Sequence, residues 1–163
     1  MIFVAIGSNL NSSKAEEPTT NCNNAVKLLK QNFYIENISS WYKSEPIPKS
    51  DQPWYVNGVV KLHTNINPFS LLKLLLKVEK DFGRKRKFRN EARILDLDII
   101  SYKNFIFRSD ILVLPHPRMH ERSFVLDPLK EIEPKWVHPV FKMDILKLKQ
   151  KFVTNQRVYK IKK

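Results

Sequence analysis

Glycine is nearly absent from this chain: Gly7, Gly58 and Gly83 are the only three in 163 residues. A glycine-rich phosphate cradle is therefore excluded, and no G-x-x-x-x-G-K-[ST] stretch occurs. Any nucleotide must be gripped by side chains rather than by a nest of backbone N–H groups. Cysteine occurs once, at Cys22, so no intrachain disulfide can form, and no Cys/His cluster has zinc spacing. Long apolar runs are missing too. The opening M-I-F-V-A-I-G-S-N has no basic lead and an apolar run too short for a signal peptide or a membrane span. The expectation is a reducing, cytoplasmic setting with no membrane partner. Acidic residues are scarce beside basic ones, 16 against 29, for a net charge of +13. That balance favours a polyanion: nucleic acid, an acidic membrane, or the phosphate chain of a nucleotide. The plain alternative is a lysine-rich surface with no partner, and the lysines are indeed spread along the chain and dense at its end.

No internal repeat, low-complexity segment or interior linker interrupts the sequence, so residues 1–163 read as one domain. A core of this size buries roughly 70% of the unfolded chain's surface and needs no staple. Residues 2–6 suit a buried strand stopped by Gly7. Residues 17–31 suit a helix, with Pro18 in its first turn and Ala25, Val26, Leu28 and Leu29 on its apolar side. Strands are expected at 33–43 and 54–64. The loop between them, 44–53, carries three prolines in ten positions, a density no strand ladder tolerates. Helix 68–82 has Asn67 as its N-cap, Pro68 at its first position and Gly83 just past its end. A strand at 94–102, short extended pieces near 105–107 and 112–114, helices within 119–130 and 144–151, and a strand at 156–161 complete the order. β-α-β-β-α-β followed by mostly helix predicts an α+β sandwich, a mainly antiparallel sheet with helices packed on its faces.

Residues 93–100, R-I-L-D-L-D-I-I, place Asp96 and Asp98 inside an otherwise apolar run. Strand alternation explains the pattern: the two carboxylates project together while Leu95, Leu97 and Ile99 turn to the core. Two like charges so close repel, and a divalent cation relieves them. Mg²⁺ takes one or two carboxylates together with waters and phosphate oxygens. A lone D-x-D is also consistent with solubilising carboxylates. Just before it, G-R-K-R-K-F-R-N-E-A-R supplies Arg84, Arg86, Arg89 and Arg93, forks suited to phosphate. Metal ligands and arginines are the two parts that phosphoryl transfer needs.

Two further clusters stand out. L-P-H-P-R-M-H-E-R-S-F, residues 114–124, offers His116, Arg118, His120 and Arg122; alone it reads as a polar loop. S-E-P-I-P-K-S-D-Q-P-W-Y-V-N, residues 44–57, ends with Tyr55 and Asn57 on one strand face, an aromatic and an amide suited to a flat heterocycle. Tyr55 and Trp54 are equally acceptable as core or rim aromatics.

Together with A-I-G-S-N-L (5–10), S-S-W-Y-K-S-E-P-I (39–47) and E-K-D-F-G-R-K-R (79–86), these stretches occur in an order that resembles the 6-hydroxymethyl-7,8-dihydropterin pyrophosphokinases of folate biosynthesis. The similarity covers about residues 2–134. It implies a ferredoxin-like α+β sandwich and transfer of pyrophosphate from ATP to the pterin hydroxymethyl oxygen, giving AMP. The resemblance further implies that Asp96 and Asp98 hold two Mg²⁺ and that Arg84 and Arg93 stabilise charge on the transferring phosphates. Glu79, Arg86, Arg89, Ile99, His116 and Arg122 would hold ATP. Gly7, Ser44, Pro46, Ile47, Tyr55, Asn57 and Phe124 would form the pterin pocket, the ring lying between Tyr55 and Phe124. The loops 44–53 and 84–92 are natural lids. Some such chains are fused to dihydropteroate synthase, the next enzyme of the pathway. Asn90, Glu91 and Ala92 stand where family members often carry Trp-Gly-Pro, and Glu45 stands where proline is frequent. The reading from a different class is a basic nucleic-acid-binding module built on 84–93 and the lysine-rich tail.

Overall fold

The computed structural model describes residues 1–12, 16–83 and 92–162. Strand β1 (Ile2–Ser8) is followed by helix α1 (Pro18–Asn32), then β2 (Tyr34–Ile38), β3 (Tyr42–Ser44) and β4 (Tyr55–His63). Helix α2 (Pro68–Asp81), β5 (Asp96–Tyr102) and the short hairpin β6 (Phe107–Arg108) and β7 (Val113–Leu114) come next. A 3-10 turn (Met119–Glu121), α3 (Ser123–Ile132), α4 (Ile145–Phe152) and β8 (Val158–Lys160) finish the chain. The main sheet runs β5-β1-β4-β3-β8, with β2 also on β4, and every pairing described is antiparallel. The α+β sandwich expected from the element order is the fold observed.

Alternation along β1 builds two cores. Ile2, Val4 and Ile6 face α1 and α2, where Cys22, Ala25, Leu29, Leu71 and Leu75 close over them. Phe3 and Ala5 face the other way, toward Met119, Val125, Leu126, Leu129, Ile145 and Leu148 of the turn, α3 and α4. Truncating one of these fully buried leucines to alanine costs about 2–5 kcal/mol, so both layers are needed. The second layer is shorter than the sheet. Beyond Phe3 and Ala5, no helix among the described residues covers Gly7, Asn57, Asp96 and Asp98, and a cleft opens there.

Local signals act as expected at α2. Asn67 Oδ1 accepts the Ser70 N–H at 3.0 Å, Pro68 opens the helix, and Gly83 follows it at φ 84°, a conformation that suits a residue without Cβ. One expectation needs correction. The strand foreseen over 33–43 is two strands, broken at 39–41. The Trp41 ring sits where a side chain on Gly58 would be, 2.5 Å from a built Cβ, and its Nε1 donates to Asn23 Oδ1 at 2.9 Å. Ser39 Oγ accepts the Val59 N–H at 2.9 Å across the gap. The break lets β2 and β3 share one edge of β4 and sets Ser44 opposite Tyr55.

Candidate active site

Sheet register builds the floor of the cleft. Gly7 pairs with Asn57 on one side and Asp96 on the other, and Ala5 pairs with Val59 and Asp98. Asn57, Gly7 and Asp96 therefore lie in one row across three strands, with bare main chain in the middle. A Cβ on Gly7 would stand 3.3 Å from Asn57 Oδ1 and 3.9 Å from the Asp96 Cβ. The cleft measures about 640 Å³, the size of a small-molecule site.

One wall is the proline-rich loop. Ser44, Pro46, Ile47 and Gln52 line it, and Tyr55 and Asn57 continue it from β4. The Asn57 amide donates to Ser44 Oγ at 2.8 Å, which turns Oδ1 over Gly7. Tyr55 OH donates to Gln52 Oε1 at 3.4 Å, and burial raises the phenol's pKa, so the hydroxyl stays protonated. The opposite wall is the start of α3 and the turn before it, with His116, Arg118, Arg122 and Phe124. Arg122 lies 5.5 Å over the Phe124 ring.

Arg93 and Asp96 form a close ion pair in the cleft, Nη1 to Oδ2 at 2.6 Å, with both side chains about one-fifth exposed. Burial opposes the Arg93 charge, but Asp96 and, further off, Asp98 outweigh it and raise its pKa. Asn9 holds this arginine from behind: its Oδ1 accepts the Arg93 N–H at 2.8 Å, and its Nδ2 reaches Gln52 Oε1 and the Pro53 carbonyl. His116 is driven the other way. Burial, then Arg122 and Arg118, lower its pKa to about 4, so it is neutral near pH 7. Its Nδ1 accepts the Arg118 N–H at 3.2 Å, which leaves the proton on Nε2, 3.9 Å from Asp98 Oδ2. Burial and Arg118 also depress the pKa of Arg122. Two carboxylates thus face three arginines and a neutral imidazole, a field that suits a bound anion carrying cations of its own.

The family model of 7,8-dihydro-6-hydroxymethylpterin-pyrophosphokinase matches residues 3–134. The chain belongs to this family. A 2-amino-4-hydroxy-6-hydroxymethyldihydropteridine pyrophosphokinase of Haemophilus influenzae is 42% identical over 139 residues, covering 84% of each chain. The folic acid synthesis protein FOL1 of Dictyostelium discoideum is 34% identical over 161 residues; the match takes in 99% of this chain and 24% of that protein. The present chain therefore spans about a quarter of that longer relative. Plasmodium falciparum HPPK-DHPS, solved with STZ-DHP, has the same fold at 15% identity: TM-score 0.71, over 93% of this chain and 43% of that one.

Within this family member, the cleft gathers Gly7, Ser44, Pro46, Ile47, Tyr55, Asn57, Arg93, Asp96, Asp98, His116, Arg122 and Phe124 of the residues expected from sequence. Arg84, Arg86 and Arg89 lie outside the described residues. Glu79 and Ile99 are not brought into the cleft. Glu79 is buried behind it, where Oε1 accepts the Leu97 N–H at 2.7 Å, and the Ile99 side chain is in the core. His120, noted beside His116, faces away and packs on Phe141 and Phe152. Asn9 and Gln52 were missed: both lie in stretches that the family resemblance quotes, but nothing in their spacing reveals a bond across 43 positions.

Proposed function

We propose that the cleft is where this chain carries out its family's reaction, with the pterin on the Asn57 side of Gly7 and the triphosphate on the Asp96 side. The chain is a pyrophosphokinase of folate biosynthesis, transferring pyrophosphate from ATP to 6-hydroxymethyl-7,8-dihydropterin. The observation that carries the placement is the row Asn57, Gly7, Asp96: an amide for a heterocycle and a carboxylate for the reacting end, over a floor without side chains.

Asn57 and Ser44 would hydrogen-bond the heterocycle, while Tyr55 and Phe124 supply flat apolar faces and Pro46, Ile47 and Gly7 close around it. Asp96 and Asp98 offer hard oxygen donors, and among the described residues no cluster of three or more His, Cys, Asp or Glu completes a metal cage. That donor set fits Mg²⁺, which keeps positions for water and phosphate oxygens. Asp96 and Asp98 would hold two Mg²⁺, which would supply charge neutralisation along the phosphates and make the hydroxymethyl proton easier to lose. Arg93, kept charged and oriented by Asp96 and Asn9, takes charge on the transferring group, with Arg84 as its partner from the basic loop. Arg86, Arg89, Arg122 and the Nε2–H of His116 hold the remaining phosphates. Ile99 meets the nucleotide through its main chain on β5, while Glu79, buried behind that strand, supports it by accepting the Leu97 N–H. Holding the hydroxymethyl oxygen in line with the β-phosphorus contributes much of the acceleration.

Residues 1–163 act as one domain, in the cytoplasm, alone or joined to a dihydropteroate synthase; the longer relatives support the last point. No helix among the described residues is long and apolar enough to cross a membrane. The nucleic-acid reading finds no support, because Arg93 and Arg122 point into a cleft with carboxylates rather than onto an open basic face. The test is incubation with ATP, Mg²⁺ and the hydroxymethyl dihydropterin. AMP and the pterin diphosphate are expected, and Asp96→Asn and Asp98→Asn should each lower the rate about 100-fold or more. ADP as the nucleotide product, or full activity in both variants, refutes the assignment.

A further inference from the structure

The stretch 156–160 lies beyond the matched family region, yet it touches both walls of the cleft. Toward the proline-rich wall, Arg157 reaches Glu45. Its Nε and Nη2 donate to Glu45 Oε2 at 3.1 and 3.0 Å, and its backbone N–H donates to Oε1 at 3.2 Å. The Glu45 side chain is only 6% exposed and lines the cleft between Ser44 and Pro46. The Arg157 guanidinium also lies 5.4 Å over the Trp54 ring, and Trp54 stacks on Tyr159 at 5.9 Å and 10°. β8 pairs with β3 so that Val158 stands opposite Ser44. Toward the other wall, Gln156 Oε1 accepts the Ser123 N–H at 2.8 Å, and its Nε2 donates to the Glu121 carbonyl. Those contacts bracket Arg122 and sit next to Phe124.

We infer that residues 156–159 form a brace that sets the gap between the two walls, and that Arg157 and Gln156 are positioning residues for the pterin. This rests on the placement of the pterin given above. Beyond Ser44, which ends β3, residues 45–53 have no regular secondary structure of their own. Among the described residues this loop is tied by the Glu45–Arg157 pair at one end and, at the other, by Gln52 and Pro53 on Asn9 and by Tyr55 on Gln52. A heterocycle lying between Tyr55 and Phe124 needs that gap fixed before it arrives, because ordering a loop on binding reduces affinity. The triphosphate side leans on Asp96, Arg93 and His116, which the brace does not touch, and on Arg122, which only the Gln156 end of the brace flanks. Loosening the Arg157 end should therefore separate the two substrates.

The experiment compares Arg157→Gln, Arg157→Lys and Gln156→Ala with the parent chain. Without ligand, hydrogen exchange across 44–53 should rise about tenfold in Arg157→Gln, as expected for a local opening that has lost a charge-assisted tie. Pterin KM and Kd should weaken about three- to tenfold, a modest range because the arginine is more than half exposed. In Arg157→Gln, ATP KM and kcat should stay within about twofold, and Arg157→Lys should regain part of the pterin affinity by keeping one charged contact. Gln156→Ala should weaken pterin in the same direction. Unchanged pterin affinity, equal losses for ATP and pterin, or losses that simply follow the melting temperature overturn the brace. If the parent chain forms no AMP, the assigned reaction falls, while ligand-free exchange at 44–53 still decides whether the brace exists.

Discussion

Asn57→Ala separates binding from folding at one residue. The residue is 6% exposed, its Nδ2 donates to Ser44 Oγ at 2.8 Å, and its Oδ1 leans over Gly7. Removing the donor to a buried hydroxyl costs about 1–2 kcal/mol of stability. In a chain of this length that lowers the melting temperature by roughly 2–8 °C. The fold survives, because both apolar cores are elsewhere. The acceptor over Gly7 is lost as well, and a ring N–H aimed at it loses its partner. One such bond is worth about 1–3 kcal/mol, so pterin binding should weaken about 5- to 150-fold. Titration calorimetry with the pterin and, separately, with a non-hydrolysable ATP analogue reads both effects; the nucleotide affinity should change less than about twofold. A melting temperature that falls as expected with an unaltered pterin affinity refutes the reasoning. Asn57 would then be only a prop for Ser44.

Gly7→Val should be harsher. Its Cβ meets Asn57 Oδ1 at 3.3 Å and its methyls enter the cleft, so about 1–3 kcal/mol of stability and more than about tenfold in pterin affinity should go; equal affinity by titration contradicts the floor. Glu79→Ala leaves the Leu97 N–H without its acceptor and should lose about 2–4 kcal/mol in urea unfolding, whereas Glu79→Gln, which keeps an acceptor, should lose less. Burial, with Arg122 and Arg118 nearby, holds the folded His116 pKa down to about 4, against an ordinary 6.5. Between those values the unfolded chain binds the extra proton, so stability falls as pH drops from 6.5 toward 4. The full penalty, up to about 3 kcal/mol, is reached below pH 4. His116→Gln should flatten that slope in acid unfolding; an unchanged slope argues against a depressed histidine.

Much of the site was legible because it rests on local geometry. Period-two alternation alone put Asp96 and Asp98 on one face, and Tyr55 with Asn57 on another strand did the same. The α2 caps followed from Asn67, Pro68 and Gly83. What escaped depends on partners distant in sequence. Glu45 looked out of place in a proline-rich loop because its reason, Arg157, lies 112 positions away. The break at 39–41 is caused by Trp41 settling on Gly58, a tertiary fit with no periodic trace. The cluster His116, Arg118, His120, Arg122 could not be divided by spacing, since a 3-10 turn rather than a regular helix decides which of them face the cleft. Glu79 and Ile99 illustrate the opposite limit: motif position suggested direct contact with ATP, while burial turned their side chains to structural work.

The glycine at the centre of the floor also bears on inhibition. A flat inhibitor laid across Gly7 would rest on peptide atoms, and those cannot be trimmed away by changing a codon. Growing a side chain there would evict the drug, but it would also crowd the Asn57 amide and disturb natural pterin binding. Resistance would have to arise along the rim, in the proline-rich loop or its C-terminal support, where the molecule has more freedom to vary.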